Sequence, residues 1–186
     1  MDTRSSIAVP PEADVPRLHP QADPPGTRLG PHMRDCYACG DRNEHGLHLV
    51  VLAGHGVSVS AEFTVTREHQ GAPGLAHGGL LAAAFDDAIG YVLWQLRRPS
   101  VTVRLETQYA RPVPVGATLH IEARATGVQG RKTWATAEGH LDAPDGPVAV
   151  RAAALFVTVP AEHFTRYGTT RPEDIAAGGD PGRYNP

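Results

Sequence analysis

Period-two alternation runs through most of this chain, and one long apolar segment interrupts it. Val57, Val59, Ala61, Phe63 and Val65 share one face of a strand with a single buried side. A second strand-like run, Leu47 to Ala53, precedes it, with His55-Gly56 as the turn between them. Val101 to Tyr109 repeats the pattern, with Val101, Val103, Leu105, Thr107 and Tyr109 on one face. Ala117 to Val128 places Leu119, Ile121 and Ala123 together. Thr133 to Leu141 connects to Val148 to Val159 through Ala143-Pro144-Asp145-Gly146, a strong turn signal. A Gly/Pro loop over 67–76 and a helix over 77–97, stopped by Pro99, lie between the first two strands and the last four. This order predicts an α+β fold in which an antiparallel sheet wraps one long central helix. A sheet of that size leaves apolar surface that one helix cannot cover, which predicts a homodimer or a dimer of dimers.

The helix carries the chemistry. It opens with His77-Gly78-Gly79 and is apolar from Leu80 to Trp94 except for Asp86 and Asp87. The glycines let a ligand come close to the backbone. The free N–H groups of a first helical turn suit an oxygen that gains negative charge. Two carboxylates in an otherwise core-like segment are candidates for an acid, a base or a nucleophile, since burial raises their pKa. Asp86 lies nine residues after His77, about 13.5 Å of rise and half a turn away. A site that uses both therefore takes them from two copies of the chain. At helical spacing from Asp86 stand Ala82, Ala83, Ile89 and Gly90, which leave room for a substrate and offer no cation.

The flanks read differently. Residues 1–34 hold seven prolines and no hydrophobic period, which predicts a disordered arm. Residues 168–186, with Gly178-Gly179-Asp180-Pro181-Gly182, predict a disordered tail, leaving a folded domain over 35–167. The 186 residues carry 17 basic and 20 acidic side chains, a net charge of −3 that does not point to nucleic acid or an anionic membrane. No run is long enough to span a bilayer, and the N-terminus shows no secretory h-region, so a cytoplasmic setting is expected.

Cys36 and Cys39 are the only cysteines. A C-x-x-C pair followed by His45 and His48 invites a zinc reading, but C-x5-H-x2-H is not a standard finger spacing. The pair also lacks the βαβ setting of a redox motif. No metal ligand and no cofactor are therefore assigned, and the pair reads as a structural knuckle leading into Asn43 and Gly46-Leu47.

Gln70-Gly71-Ala72-Pro73-Gly74-Leu75-Ala76-His77-Gly78-Gly79 resembles the helix-start motif of hotdog-fold acyl-CoA thioesterases. The likeness is to the phenylacetate-pathway type and to the mammalian mitochondrial long-chain enzymes. Arg111-Pro112-Val113-Pro114-Val115-Gly116 resembles that family's strand-to-strand connection, and Gly130-Arg131-Lys132 its turn that meets the nucleotide end of coenzyme A. The likeness covers residues 36–158. It implies a hotdog fold and acyl-CoA hydrolysis, with a site built across a dimer. It implies Asp86 as catalytic base or nucleophile, Gly78 and Gly79 as the oxyanion site, and His77 as the residue that fixes the loop or the carbonyl. A hydroxyl sixteen residues beyond the acid falls on Thr102. Gly130, Arg131 and Lys132 would take the nucleotide phosphates. Asp87 stands where the family commonly has a small or amide residue, and is included among the substrate-binding positions. Tyr91, Trp94 and Trp134 are open between pocket, core and dimer interface.

Two alternatives stand beside the enzyme: a non-catalytic acyl-CoA-binding hotdog protein, and a thioesterase acting on an acyl-carrier-protein substrate. The hotdog hydratases carry an Asp-x-Asn-x-x-His set at the helix start, and this chain does not.

Overall fold

Alternating runs such as Val57–Val65 and Leu119–Ala123 become long strands because one face of each meets the same apolar helix. In Val101–Tyr109 a bulge between Thr102 and Arg104 breaks the expected alternation and leaves Val103 and Tyr109 exposed. The computed structural model describes residues 5–160 and 162–168. Its main sheet holds seven strands: β1 (Arg28–Leu29), β2 (Val50–Ala53), β3 (Ser58–Thr64), β6 (Ser100–Tyr109), β7 (Thr118–Gln129), β8 (Lys132–Leu141) and β9 (Val148–Thr158). They lie in the order β1-β2-β3-β7-β8-β9-β6, every pair antiparallel. The helix α1 (Gly78–Leu96) packs on β3, β6, β7, β8 and β9. Ala84, Phe85, Ala88, Ile89, Val92 and Leu93 are fully buried against Val59, Leu119, Ile121 and Val150. The α+β architecture is the one the alternation predicts, and the helix and late strands start and stop within one or two residues of the expected bounds.

Close approach of helix to sheet has a specific cause at Gly139 of β8. A Cβ there would lie 2.6 Å from Cζ of the fully buried Phe85, so the aromatic ring occupies the space that the glycine leaves. At the far end Arg97 takes the left-handed conformation (φ 51) and closes the helix, its N–H on the Leu93 and Trp94 carbonyls.

The segment expected as a loop over 67–76 is more ordered than that. A 3-10 turn (Arg67–His69) leads into a small hairpin of β4 (Gln70–Ala72) and β5 (Leu75–Ala76). The Gln70 carboxamide oxygen accepts the Gly74 N–H at 2.8 Å, replacing a longer ladder with a side-chain bond.

The largest difference lies in the N-terminal arm. It is expected to be disordered over 1–34, but its described residues, 5–34, pack against the domain. Asp14 and Val128 exchange backbone bonds of 2.8 and 3.0 Å where β7 extends past the first residue of β3. The His19 N–H meets the Gln95 carbonyl at the end of α1 (3.0 Å). β1 then adds to β2, and the Tyr91 hydroxyl donates to the Gly30 carbonyl at 2.8 Å. Prolines give such a segment no hydrophobic period, yet single N–H and C=O groups still close the bonds that strand ends and the helix C-terminus leave open. After β9 a short helix, α2 (Glu162–Tyr167), follows. The tail expected over 168–186 lies, beyond Gly168, outside the described residues. No helix among the described residues is long and apolar enough to cross a membrane.

Candidate functional site

The start of α1 is built by three contacts. His77 is the N-cap in extended conformation (φ −70, ψ 128), and its Nδ1 accepts the Gly79 N–H at 2.9 Å. Its own N–H donates to the His69 carbonyl at 2.8 Å. The Tyr109 hydroxyl donates to the Gly78 carbonyl at 2.7 Å and accepts from Thr107 Oγ1 at 3.1 Å. The two glycine amides thus differ: Gly79 is engaged by the cap, whereas Gly78, first in the helix, has no intrahelical acceptor. Residues 70–79 and 111–116 also meet, since Ala76 N–H donates to Val113 O and Val115 N–H to Gly74 O, both at 2.9 Å.

Asp86 lies two turns further along α1 and is half-buried. Thr102 Oγ1, from the edge strand β6, donates to its Oδ1 at 2.9 Å. Burial raises the Asp86 pKa, the Thr102 bond opposes that, and the nearby Cys36 adds to it. No lysine or arginine among the described residues pairs with Asp86. A cavity of about 260 Å³ opens beside it, bounded by Gly90, Trp94, Thr102, Phe156 and Phe164. Tyr91 stacks on Trp94 with ring centroids 5.6 Å apart, and both line this cavity. Trp134 is buried in β8.

Asp87 turns elsewhere. Burial pushes its carboxyl up to about 7, against the pull of His32. Its Oδ1 lies 3.4 Å from His32 Nδ1 and 3.8 Å from Cys36 Sγ. Its Oδ2 is buried with no hydrogen-bond partner among the described residues. Cys39 Sγ is 3.0 Å from His32 Nδ1. In this cluster the Cys36 thiol is driven far below its ordinary range, first by the Cys39 S–H and then by His32. Cys39 is pushed up by the same bond and by burial. Burial is the largest single effect on His32 and lowers its pKa, but Cys36 and Asp87 together raise it overall.

The sequence grouped these cysteines with His45 and His48 and assigned no metal ligand. The structure groups them differently. His45 Nδ1 lies 3.4 Å from Glu68, and His48 is exposed with φ 51. His32 and Asp87 take their places. His32 was missed because it sits in the proline-rich arm; the signal that could have found it is the spacing H-x3-C-x2-C.

Gly130, Arg131 and Lys132 form the turn from β7 to β8, with Gly130 at φ 56. Both cations are exposed. The turn is tied to the segment that follows α1 and to the end of β9: Arg98 Nη1 donates to Gly130 O at 3.0 Å and the Thr158 N–H to Arg131 O at 2.8 Å. Within one chain the expected site residues therefore fall into three places. Asp86 and Thr102 meet at mid-helix, the His77-Gly78-Gly79 start lies at one end of α1, and the Gly130-Arg131-Lys132 turn at the other.

Residues 73–146 match the family described as the thioesterase superfamily. The chain is 28% identical over 88 residues to acyl-coenzyme A thioesterase THEM4 of Xenopus laevis, a match covering 47% of this chain and 39% of that protein. It spans less than two thirds of the length of the curated relatives it matches. A crystal structure of a thioesterase superfamily protein superimposes with a TM-score of 0.62 at 28% identity, covering 74% of this chain and 70% of that one. The Escherichia coli PaaI protein of the phenylacetic acid degradation operon shares the fold, with a TM-score of 0.57 at 17% identity over 61% of this chain and 81% of that one.

Proposed function

We propose that this chain, whose residues 73–146 belong to a thioesterase-superfamily domain of hotdog fold, hydrolyses acyl-CoA thioesters to the free acid and coenzyme A. The observation that carries the reading is a half-buried Asp86 with no lysine or arginine partner among the described residues, held by Thr102 on the wall of a cavity. A carboxylate in that setting is placed as a base. It takes a proton from water as the oxygen attacks the thioester carbonyl carbon. The carbonyl oxygen, now anionic, is stabilised by the Gly78 N–H, worth about 3 kcal/mol in the transition state. Collapse breaks the C–S bond, and the thiolate leaves with the proton returned from Asp86.

Asp86 and Gly78 lie on one helix, too far apart to serve the same carbonyl. The reading therefore takes Asp86 from one copy and the helix start from another, in a dimer whose central helices lie side by side. His77 holds the first turn through its bond to Gly79 and so leaves Gly78 as the oxyanion donor. Arg131 and Lys132, exposed and cationic, suit the nucleotide phosphates.

The test is thiol release from a panel of acyl-CoAs, straight-chain and aromatic, by the wild type and by Asp86→Asn. The expected result is turnover of at least one class, with kcat lowered by about two orders of magnitude or more in the variant. No turnover above the variant's background would favour a binding protein instead.

A further inference from the structure

We propose that His32, Cys36, Cys39 and Asp87 form a closed structural zinc site that clips the N-terminal arm to the central helix. The four donor atoms all lie within 4.8 Å of one another. Zinc at about 2.3 Å from sulfur and about 2.0–2.2 Å from nitrogen or oxygen sets tetrahedron edges of about 3.3–3.8 Å. Three of the six edges here are 3.0 Å from Cys39 Sγ to His32 Nδ1, 3.4 Å from His32 Nδ1 to Asp87 Oδ1, and 3.8 Å from Cys36 Sγ to Asp87 Oδ1, and the other three are within 4.8 Å. Only small side-chain shifts separate this cluster from coordination geometry.

The surroundings argue for a cation as well. Asp87 is largely buried and its Oδ2 has no partner among the described residues, a costly arrangement for a carboxylate without a compensating charge. Both cysteines are free thiols, and Cys39 is buried. The knuckle that carries them is tight. A Cβ on Gly40 would lie 2.4 Å from the Arg34 carbonyl oxygen and 2.5 Å from that of Cys36, so no other residue fits there unchanged. The Ala38 N–H points at Cys36 Sγ (3.4 Å), the way outer-shell donors orient a ligating thiolate. Two sulfurs with one imidazole favour zinc over calcium or magnesium, and four protein donors leave no open position for substrate. The site is thus structural: it fixes residues 32–40 against α1 one residue beyond Asp86, and its His32 and Asp87 share the cavity wall.

The experiment uses the full chain without a histidine tag, purified with no added metal and no chelator. Elemental analysis should find about one zinc per chain, and exchange into cobalt(II) should give the visible d–d bands of a tetrahedral ion with thiolate-to-cobalt charge transfer. Cys39→Ser and His32→Ala should lose most of the zinc and the cobalt spectrum, and chelation of the wild type should lower its Tm. If the cysteine variant does not fold, Asp87→Asn serves as a second probe, with a weakened and altered cobalt spectrum expected. A reduced wild type, titrating two free thiols, that holds under a tenth of an equivalent of zinc and gives no cobalt bands would overturn the proposal. Equal zinc in wild type and variants would overturn it too. None of these readouts uses an acyl-CoA, so the outcome is independent of the thioesterase reading.

Discussion

Thr102→Val isolates one bond. The substitution replaces Oγ1 by a methyl of nearly equal volume on the same β-branched frame, so strand propensity and the backbone pairing of Thr102 with Phe156 stay as they are. What is lost is the 2.9 Å hydrogen bond to Asp86 Oδ1. Hydrogen bonds to charged groups contribute about 1.5–3 kcal/mol. Thr102 is exposed in the single chain and Asp86 only half-buried, so the low end applies, about 1.5 kcal/mol, or roughly tenfold in rate. The bond orients the base and does not bind substrate, so kcat should fall about tenfold while KM holds. Thr102→Ser keeps the hydroxyl and should recover most of the loss. Initial rates of thiol release from the preferred acyl-CoA, with Tm measured in parallel, decide the matter; Tm should move by no more than a few degrees. An unchanged kcat in Thr102→Val, or an equal loss in Thr102→Ser, would refute the idea that this hydroxyl positions the base.

Arg131→Ala with Lys132→Ala should raise KM for acyl-CoA and leave kcat less affected, because contacts remote from the thioester supply uniform binding. The penalty should shrink on a pantetheine thioester, and an equal penalty on both substrates would remove the turn from the nucleotide site. Gly139→Ala should destabilise the fold by about 1–3 kcal/mol, since its new methyl would meet the fully buried Phe85 ring at 2.6 Å and the core has no room to yield. Thermal unfolding reads this as a Tm lower by several degrees, and an unchanged Tm would show that the helix can slide away from β8.

Much of this fold was legible because its strands face a single apolar helix. Val57 to Val65 and Leu119 to Ala123 alternate for that reason, and the break in an apolar run at Asp86 and Asp87 singled out the helix as the place for chemistry. Period, however, reports only elements that bury a continuous face. The arm bonds one group at a time, as at Asp14, His19 and Gly30, and leaves no period to read. That is why β1 and the role of His32 escaped the sequence. The contact between Thr102 and Asp86 spans a helix and a strand whose packing no local pattern encodes, so it entered only through the family's spacing. The Tyr109 bond to Gly78 and the Phe164 wall of the cavity have the same cause: each joins segments far apart in the chain.

The claim that one active site combines Asp86 of one copy with the helix start of another is tested most directly by mixing two inactive variants. Asp86→Asn removes the base. Gly78→Pro removes the oxyanion N–H at the first helical position, where proline is tolerated, and His77 before it already has the extended backbone that proline requires. Each homodimer should be inactive. Equal amounts, unfolded and refolded together, should pair at random, so that half the dimers are mixed and each of these holds one intact site. The account predicts recovery of about a quarter of wild-type activity. A mixture as inactive as its two components, with mixed dimers verified by mass, would contradict it.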